Sequence, residues 1–302
     1  KTQYLEPKEY IDESIECLDS MNPITWFNVA KKIKNDNYDF VLIRFWNPFF
    51  APMLVTIIRR LKRNNNTIKL IGLYDNLLPH EAQFYDRKFT TSFINELDGH
   101  IVQSSKVKTE LLELKNNAEV CTLFHPLFTK YGDLKFKDES RNKLGIKAKF
   151  TILYFGLVRK YKGLDILIEA TSYLKEMRND FEVLAVGESY DISESITNLI
   201  DNYNIKDVFK WDNSFIPDVE ISDYFSACDI VVLPYRTASQ SGIVQIAYHF
   251  NKPVIVTNVG GLPEMIEIGK SGEIVEPEEP MELAKKISQS LNETKLTDMS
   301  TF

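Results

Sequence analysis

From Tyr38 onward, short runs of β-branched and aromatic residues alternate with stretches of helical periodicity, which confines the chain to βαβ units and a parallel sheet. Parallel strands are covered on both faces by their crossover helices, so each run reads as almost wholly apolar. The first group is FVLIRF near Asp39 to Phe45, TIKLIGLY ending at Tyr74, HIVQ at His100 to Gln103 and EVCTLF at Glu119 to Phe124. The second is FTILYF at Phe150 to Phe155, FEVLAV at Phe181 to Val186, DVFKW at Asp207 to Trp211, DIVVLP at Asp229 to Pro234, PVIVT at Pro253 to Thr257 and GEIVEP near Gly272. Six strands complete a doubly wound domain in the second half. The first half has four, and the sequence starts at Lys1 without an initiator Met, so an opening strand or two is expected to lie outside it.

A length of 302 residues with 44% apolar and 26% charged content suits two ordinary domains, each with its own core. The charged stretch FTKYGDLKFKDESRNKLGIKAKF, Phe128 to Phe150, reads as a linker with one short helix at Glu139 to Leu144. The boundary is placed near Gly145, giving domains 1–145 and 146–302. A net charge of −7 argues against nucleic acid as a partner. Cys17, Cys121 and Cys228 are widely spaced and without a CxxC pair, which argues against a disulfide framework or structural zinc site and favours a reducing, cytoplasmic setting. No run approaches the roughly 20 apolar residues of a membrane span. IIRRLKR, Ile57 to Arg63, leaves peripheral contact with anionic lipid at the inner face of a membrane as an alternative, although cations at a helix C-terminus have an ordinary electrostatic explanation.

Ligands of open parallel sheets bind beyond the carboxyl ends of the strands. In the first half those positions hold Arg44 and Asn47, then Asp75, Asn76 and His80, then Gln103 and Ser104, then His125. Asp75, nearest its strand end, is the candidate base. His80 can shuttle a proton, bind substrate or cap the helix expected to start at Pro79. WNPFFAPM, Trp46 to Met53, is either an aromatic platform or core at a helix entrance, and core is the reading favoured. In the second half the strand-end positions hold Gly156, Arg159 and Lys162, then Gly187 and Glu188, then Asp212 and Asn213, then Tyr235 and Arg236, then Gly260 and Gly261. Arg159 and Lys162 stand at a helix entrance, where two cations oppose the dipole; a bound anion explains them better than helix stability does.

The stretch RTASQSGIVQIAYHFNKPVIVTNVGGLPE, Arg236 to Glu264, carries the most chemistry. Ser239, Gln240, Ser241 and Gly242 precede a helical run, so their backbone N–H groups are expected at a helix N-terminus suited to phosphate. There is no DxD, HExxH or clustered His and Cys, hence no metal site, and no Walker loop, GxSxG elbow or GxGxxG with a downstream acidic partner. A nicotinamide-dependent oxidoreductase is thereby disfavoured.

These residues resemble the retaining GT-B glycosyltransferases of group 1, family 4. The resemblance rests on FGLVRKYKGLDILIEA, on DYFSACDIVVLPYRTASQSGIVQIAYHFNKPVIVTNVGGLPE and, in the first half, on NPITW, FWNPFFAP, DNLLPHE and VQSSKVKTELLEL. It implies two Rossmann-like domains facing across a cleft, the N-terminal one binding acceptor and the C-terminal one binding a nucleotide-diphosphate sugar. It further implies sugar transfer to a glycan or lipid-linked acceptor with retained configuration, without a cofactor or required metal, the leaving phosphate taking the acceptor proton. By motif position Arg159 and Lys162 clamp the donor phosphates, the amides of Gly242 and Ile243 assist, and Asn213 lies near the base. Gly156, Glu188, Ser239, Gln240, Ser241 and Glu264 complete the expected donor set; Arg44, Asn47, Asp75, His80 and Ser104 form the acceptor set. The family's usual acidic pair is replaced by Ser239 and Ala247, in an SQSG variant. That loss motivates a second reading, a degenerate nucleotide-sugar-binding accessory subunit.

Overall fold

The computed structural model describes residues 15–36, 38–63, 67–79, 83–123, 127–189, 193–292 and 296. The chain divides into two units, 1–124 and 125–302. In the first, α1 (Pro23–Asn35), β1 (Phe40–Phe45), α2 (Ala51–Lys62), β2 (Lys69–Tyr74), α3 (Asp86–Asn95), β3 (Gly99–Val102), α4 (Ser105–Leu114) and β4 (Val120–Thr122) follow in order. The four strands pair in parallel as β1-β2-β3-β4. Phe45, Tyr74 and Phe93 centre this core, with the Phe45 and Phe93 rings stacked at 4.5 Å. The helix expected at Pro79 begins later, at Asp86. Ile15 to Asp19 has no regular structure.

The second unit holds α5 (Lys137–Lys143), β5 (Phe150–Phe155), α6 (Leu164–Met177), β6 (Phe181–Val186), α7 (Ser193–Asn202), β7 (Phe209–Asp212), α8 (Asp218–Ala227), β8 (Ile230–Leu233), α9 (Gly242–His249), β9 (Val254–Thr257), β10 (Gly272–Val275) and α10 (Pro280–Ser290). All neighbours are parallel, in the order β10-β9-β8-β5-β6-β7. The period-2 alternation of β5 divides its residues between two cores. Phe150, Ile152 and Tyr154 join α6, α7 and α10 on one face; Leu153 and Phe155 join α8 and α9 on the other. Both faces are therefore apolar, as the sequence of a doubly wound sheet requires.

The stretch expected to be a linker belongs to the second unit. Buried Asp223 on α8 takes Lys135 and Lys143 Nζ at 2.6 Å each, and buried Asp229 takes Lys137 Nζ at 2.5 Å. Two buried carboxylates need neutralising, and these lysines supply the charge. The change of unit accordingly precedes the boundary expected near Gly145. Burial pushes the Asp223 pKa up, but its bonds to Lys135 and Lys143 outweigh this and hold it below the usual value.

Candidate anion-binding site at the sheet switch point

β5 lies between β6 and β8, so the strand order reverses there and the loops leaving β5 and β8 diverge over the sheet's carboxyl edge. The β5 loop runs through Gly156 to a 3-10 turn at Lys160–Lys162 and enters α6 at Gly163. Gly163 has φ +65°, and a Cβ on it would lie 2.0 Å from the Pro234 carbonyl oxygen, so only glycine lets the α6 entrance meet the end of β8. The β8 loop is fastened to the same turn. Arg236 donates its backbone N–H to the Tyr161 carbonyl at 2.7 Å and its guanidinium to both Asp165 oxygens at 2.8 Å, to Glu278 at 2.8 Å and to the Lys160 carbonyl at 2.9 Å. Asp165 and Glu278 raise its pKa against the opposing effect of burial. Arg236 is thus a clasp between loops.

This clasp sets Lys162 beside Tyr235, with its ammonium 5.7 Å from the ring centroid. Gly156 has φ +107°; a Cβ on it would lie 3.5 Å from Lys162 Nζ and 3.4 Å from Ile243 Cδ1, so its lack of a side chain keeps this corner open. Ser241 caps α9, its Oγ accepting the Ile243 N–H at 3.3 Å and lying 3.5 Å from the Tyr235 hydroxyl. Burial pushes the Tyr235 pKa up to about 12 despite that contact, so the hydroxyl stays protonated and able to donate. Among the described residues, no hydrogen bond or ion pair neutralises the Lys162 ammonium. Burial lowers its pKa, Tyr161 opposes the shift and the Arg159 charge adds to it. An unneutralised, partly buried cation facing a helix N-terminus is an arrangement that an anion completes.

The structure therefore gathers Gly156, Lys162, Ser241, Gly242 and Ile243 at one corner, with Arg159 at the head of the 3-10 turn. Ser239 is buried, and its carbonyl accepts the Gly261 N–H at 3.0 Å, which fixes the glycine turn against the β8 loop next to Gln240. Glu188 and Asn213 flank the next loops: the Glu188 carbonyl accepts the Val158 N–H at 2.9 Å, and Asn213 Oδ1 accepts the Ser189 N–H at 2.7 Å. Glu264 lies exposed in a 3-10 turn at Pro263–Met265. Two neighbours escaped the sequence-based site set. Tyr235 supplies the ring beside Lys162, and Phe128 covers α9, its Cε2 2.7 Å from where a Cβ on Gly242 would lie. Tyr235 at a strand end was a signal; Phe128 in a charged stretch gave none.

The first unit places its candidates differently. Arg44 Nε binds Asp75 Oδ2 at 2.7 Å, so the candidate base is half of an ion pair. Asn47 caps the 3-10 turn at Pro48–Phe50 by accepting the Phe49 N–H at 2.9 Å, and buried Ser104 caps α4 by accepting the Val107 N–H at 3.3 Å. Both side chains thus hold helix starts. Arg44, Trp46, Asn47 and Phe50 share a concavity of about 240 Å³. Trp46 and Phe49 are 53% and 56% exposed, against the expectation of core, whereas Pro48, Ala51 and Met53 are buried. His80 and His125 lie outside the described residues. Arg59 pairs with Glu96 at 2.7 Å, which accounts for one cation of IIRRLKR. Among the described residues no cluster of His, Cys, Asp and Glu could hold a metal ion, no helix is long and apolar enough to cross a membrane, and all three cysteines are free.

Solved structures share this architecture. The chain superposes on Anabaena Alr3699/HepE, solved in complex with UDP, with a TM-score of 0.76 and 18% identity, over 92% of this chain and 75% of that one. A glycosyltransferase from Rickettsia africae gives 0.73 and 22% identity, over 94% and 76%. At such identities the likeness establishes the fold, an α/β fold of the GT-B class with two parallel-sheet Rossmann-like domains. In sequence the chain is 26% identical over 177 residues to spore coat protein SA of Bacillus subtilis, covering 56% of this chain and 46% of that protein. It is 30% identical over 161 residues to D-inositol 3-phosphate glycosyltransferase 1 of Catenulispora acidiphila, covering 50% and 38%. The chain thus spans less than half the length of these relatives. The family pattern described as glycosyl transferases group 1 matches residues 136–300, from the lysines that fasten α5 through the β5–β8 switch point and beyond α10. On that match over more than half its length, the chain belongs to the glycosyl transferases group 1 family.

Proposed function

We propose that this chain is a glycosyltransferase that binds a nucleotide-diphosphate sugar in its second unit and transfers the sugar, with retained anomeric configuration, to a glycan or lipid-linked acceptor held by its first unit. One observation carries the reading: the unneutralised Lys162 ammonium beside Tyr235 at the start of α9. A diphosphate supplies the missing counter-charge, and the same groups stabilise the charge that grows on it as the glycosidic bond breaks. Arg159 and the amides of Gly242 and Ile243 share that task, so the leaving group is stabilised without a metal ion. The departing phosphate oxygen takes the proton of the attacking hydroxyl on the same face of the sugar. Asn213 and Glu188, on the β7 and β6 loops, face the nucleoside. Asp75, oriented by Arg44, positions the acceptor together with His80.

Calorimetry with UDP, GDP, ADP and CMP, followed by an assay for nucleotide released from the corresponding sugars, tests this reading. UDP comes first because the Anabaena neighbour was solved with UDP and with UDP-glucose. Binding with release of nucleotide supports it. Absence of nucleotide-diphosphate binding refutes it.

The accessory-subunit reading has its own observation. Ser239 is 6% exposed and Ala247 is fully buried in the α9 face of the core, so neither position offers a carboxylate to a sugar or ribose. Nucleotide-sugar binding without release, in the presence of acceptor or water, would favour it.

A further inference from the structure

We propose that the concavity at the exit of β1 in the first unit binds one uncharged sugar ring, that Trp46 is the residue on which the ring stacks, and that the acceptor therefore presents a saccharide. The acceptor role rests on the proposed transfer reaction; the binding of a sugar ring does not. Trp46 directly follows β1, at the carboxyl edge of the sheet where open α/β folds hold their ligands. Tryptophan is highly buried on average, yet Trp46 is 53% exposed and Phe49, three positions on, is 56% exposed. Their turn is nonetheless fixed. Asn47 Oδ1 accepts the Phe49 N–H at 2.9 Å, Pro48 occupies the first position of the 3-10 turn, and the Phe50 ring lies 4.9 Å from the Trp46 ring and 5.3 Å from that of Phe49. Buried Pro48, Ala51 and Met53 seat this turn on the core. An aromatic surface held in this way needs little further ordering when a ligand arrives.

Size and lining select the ligand. The concavity of about 240 Å³ falls below the roughly 300–1,000 Å³ of sites that hold drug-sized molecules, so it suits a single ring. Phe45, Phe50, Met53 and Leu54 give it apolar surface, and Arg44 and Asn47 give it polar groups. Arg44 uses its Nε on Asp75 at 2.7 Å and Asn47 uses its Oδ1 on the turn, so what they offer a ligand is N–H donors, the guanidinium Nη groups and the amide Nδ2. A sugar ring matches both features: its C–H face packs on the indole, and the hydroxyl oxygens around its edge accept from the donors.

The charge balance argues for an uncharged ring. A lone guanidinium would select a phosphate or carboxylate, but Asp75 already balances Arg44. Glu16 and Asp19 also stand exposed on either side of Leu18, which lines the same concavity, and Asp19 holds the Met21 N–H at 2.8 Å. No surplus of positive charge is left for an anion. A prenyl or acyl chain would use the rings but not the donors.

The test is saturation-transfer NMR of the whole chain with methyl glycosides of glucose, galactose, mannose and N-acetylglucosamine, with the methyl glycoside of glucuronic acid, and with farnesyl phosphate, beside UDP calorimetry on the same samples. At least one neutral glycoside should take up saturation, most strongly on the C–H protons of one ring face, and saturating UDP should leave that signal in place. Trp46→Ala should weaken glycoside binding at least about 5-fold, and Trp46→Phe should restore it, with melting temperature and UDP affinity unchanged in both. Three results would overturn the proposal: no saturation of any neutral glycoside, a glycoside signal undiminished in Trp46→Ala, or tighter Trp46-dependent binding of the glucuronide or farnesyl phosphate than of every neutral glycoside. Any of these with UDP binding intact removes the subsite and leaves the transfer reaction standing. Loss of UDP binding beside a Trp46-dependent glycoside signal refutes the transfer reaction, and with it the acceptor role, while upholding the sugar-ring site.

Discussion

Lys162→Met should separate the cost of a waiting charge from its use. The side chain keeps its stem and loses an ammonium that burial and Arg159 already disfavour, so the free protein should be no less stable and could gain up to about 1 kcal/mol. A bound diphosphate would lose a charge-assisted contact of about 1.5–3 kcal/mol, or roughly 10- to 150-fold in Kd. Denaturant unfolding measures the first quantity and UDP calorimetry the second. The sign with pH follows from the lowered pKa. Between that value and the ordinary lysine value the unfolded chain holds a proton that the free folded chain lacks, so stability rises with pH across this window. UDP requires the charged form, so its affinity should fall as pH rises through the lowered pKa, and Lys162→Met should remove that slope. A variant that is clearly destabilised yet binds UDP like the wild type would refute the reasoning and make Lys162 a structural residue.

Arg236→Gln cuts the clasp to Asp165, Glu278 and the Lys160 carbonyl and should cost about 1–3 kcal/mol in urea unfolding, because two loops lose their charged tie. His100 is buried against Tyr74, its Nδ1 2.7 Å from the hydroxyl, and burial with the Lys115 charge lowers its pKa to about 4. The unfolded chain protonates first, near the ordinary histidine value, so stability should be full above about pH 6.5 and fall by up to about 3 kcal/mol toward pH 4, with the slope reduced in His100→Gln. Asp75→Asn should leave UDP affinity unchanged and lower transfer to acceptor; equal loss of both would assign the Arg44–Asp75 pair to structure. EDTA treatment followed by a nucleotide-release assay should leave turnover unchanged, and loss restored by a divalent cation would contradict the metal-free proposal.

The sheets were legible because buried parallel strands write themselves as continuous apolar runs, and FTILYF and FEVLAV match β5 and β6 residue for residue. DVFKW slipped because Asp207 is tied to Lys175 and the Val208 N–H closes a turn onto the Ile205 carbonyl, so β7 starts at Phe209. Residues 128–150 resembled a linker since the partners of their lysines, Asp223 and Asp229, lie 80 or more positions away. Distance along the chain hid the Arg44–Asp75 pair in the same way. Lys162 could be read from its place after a strand and before a helix. That Arg236 is engaged while Lys162 is not depends on Asp165 and Glu278, which no local pattern reveals.

The most direct measurement is a crystal structure of this chain with UDP. The account predicts the diphosphate within hydrogen-bonding distance of Lys162 Nζ and of the Gly242 and Ile243 amides, with Arg236 still bound to Asp165. UDP seated elsewhere, with Lys162 and the start of α9 contacting only solvent, would contradict it.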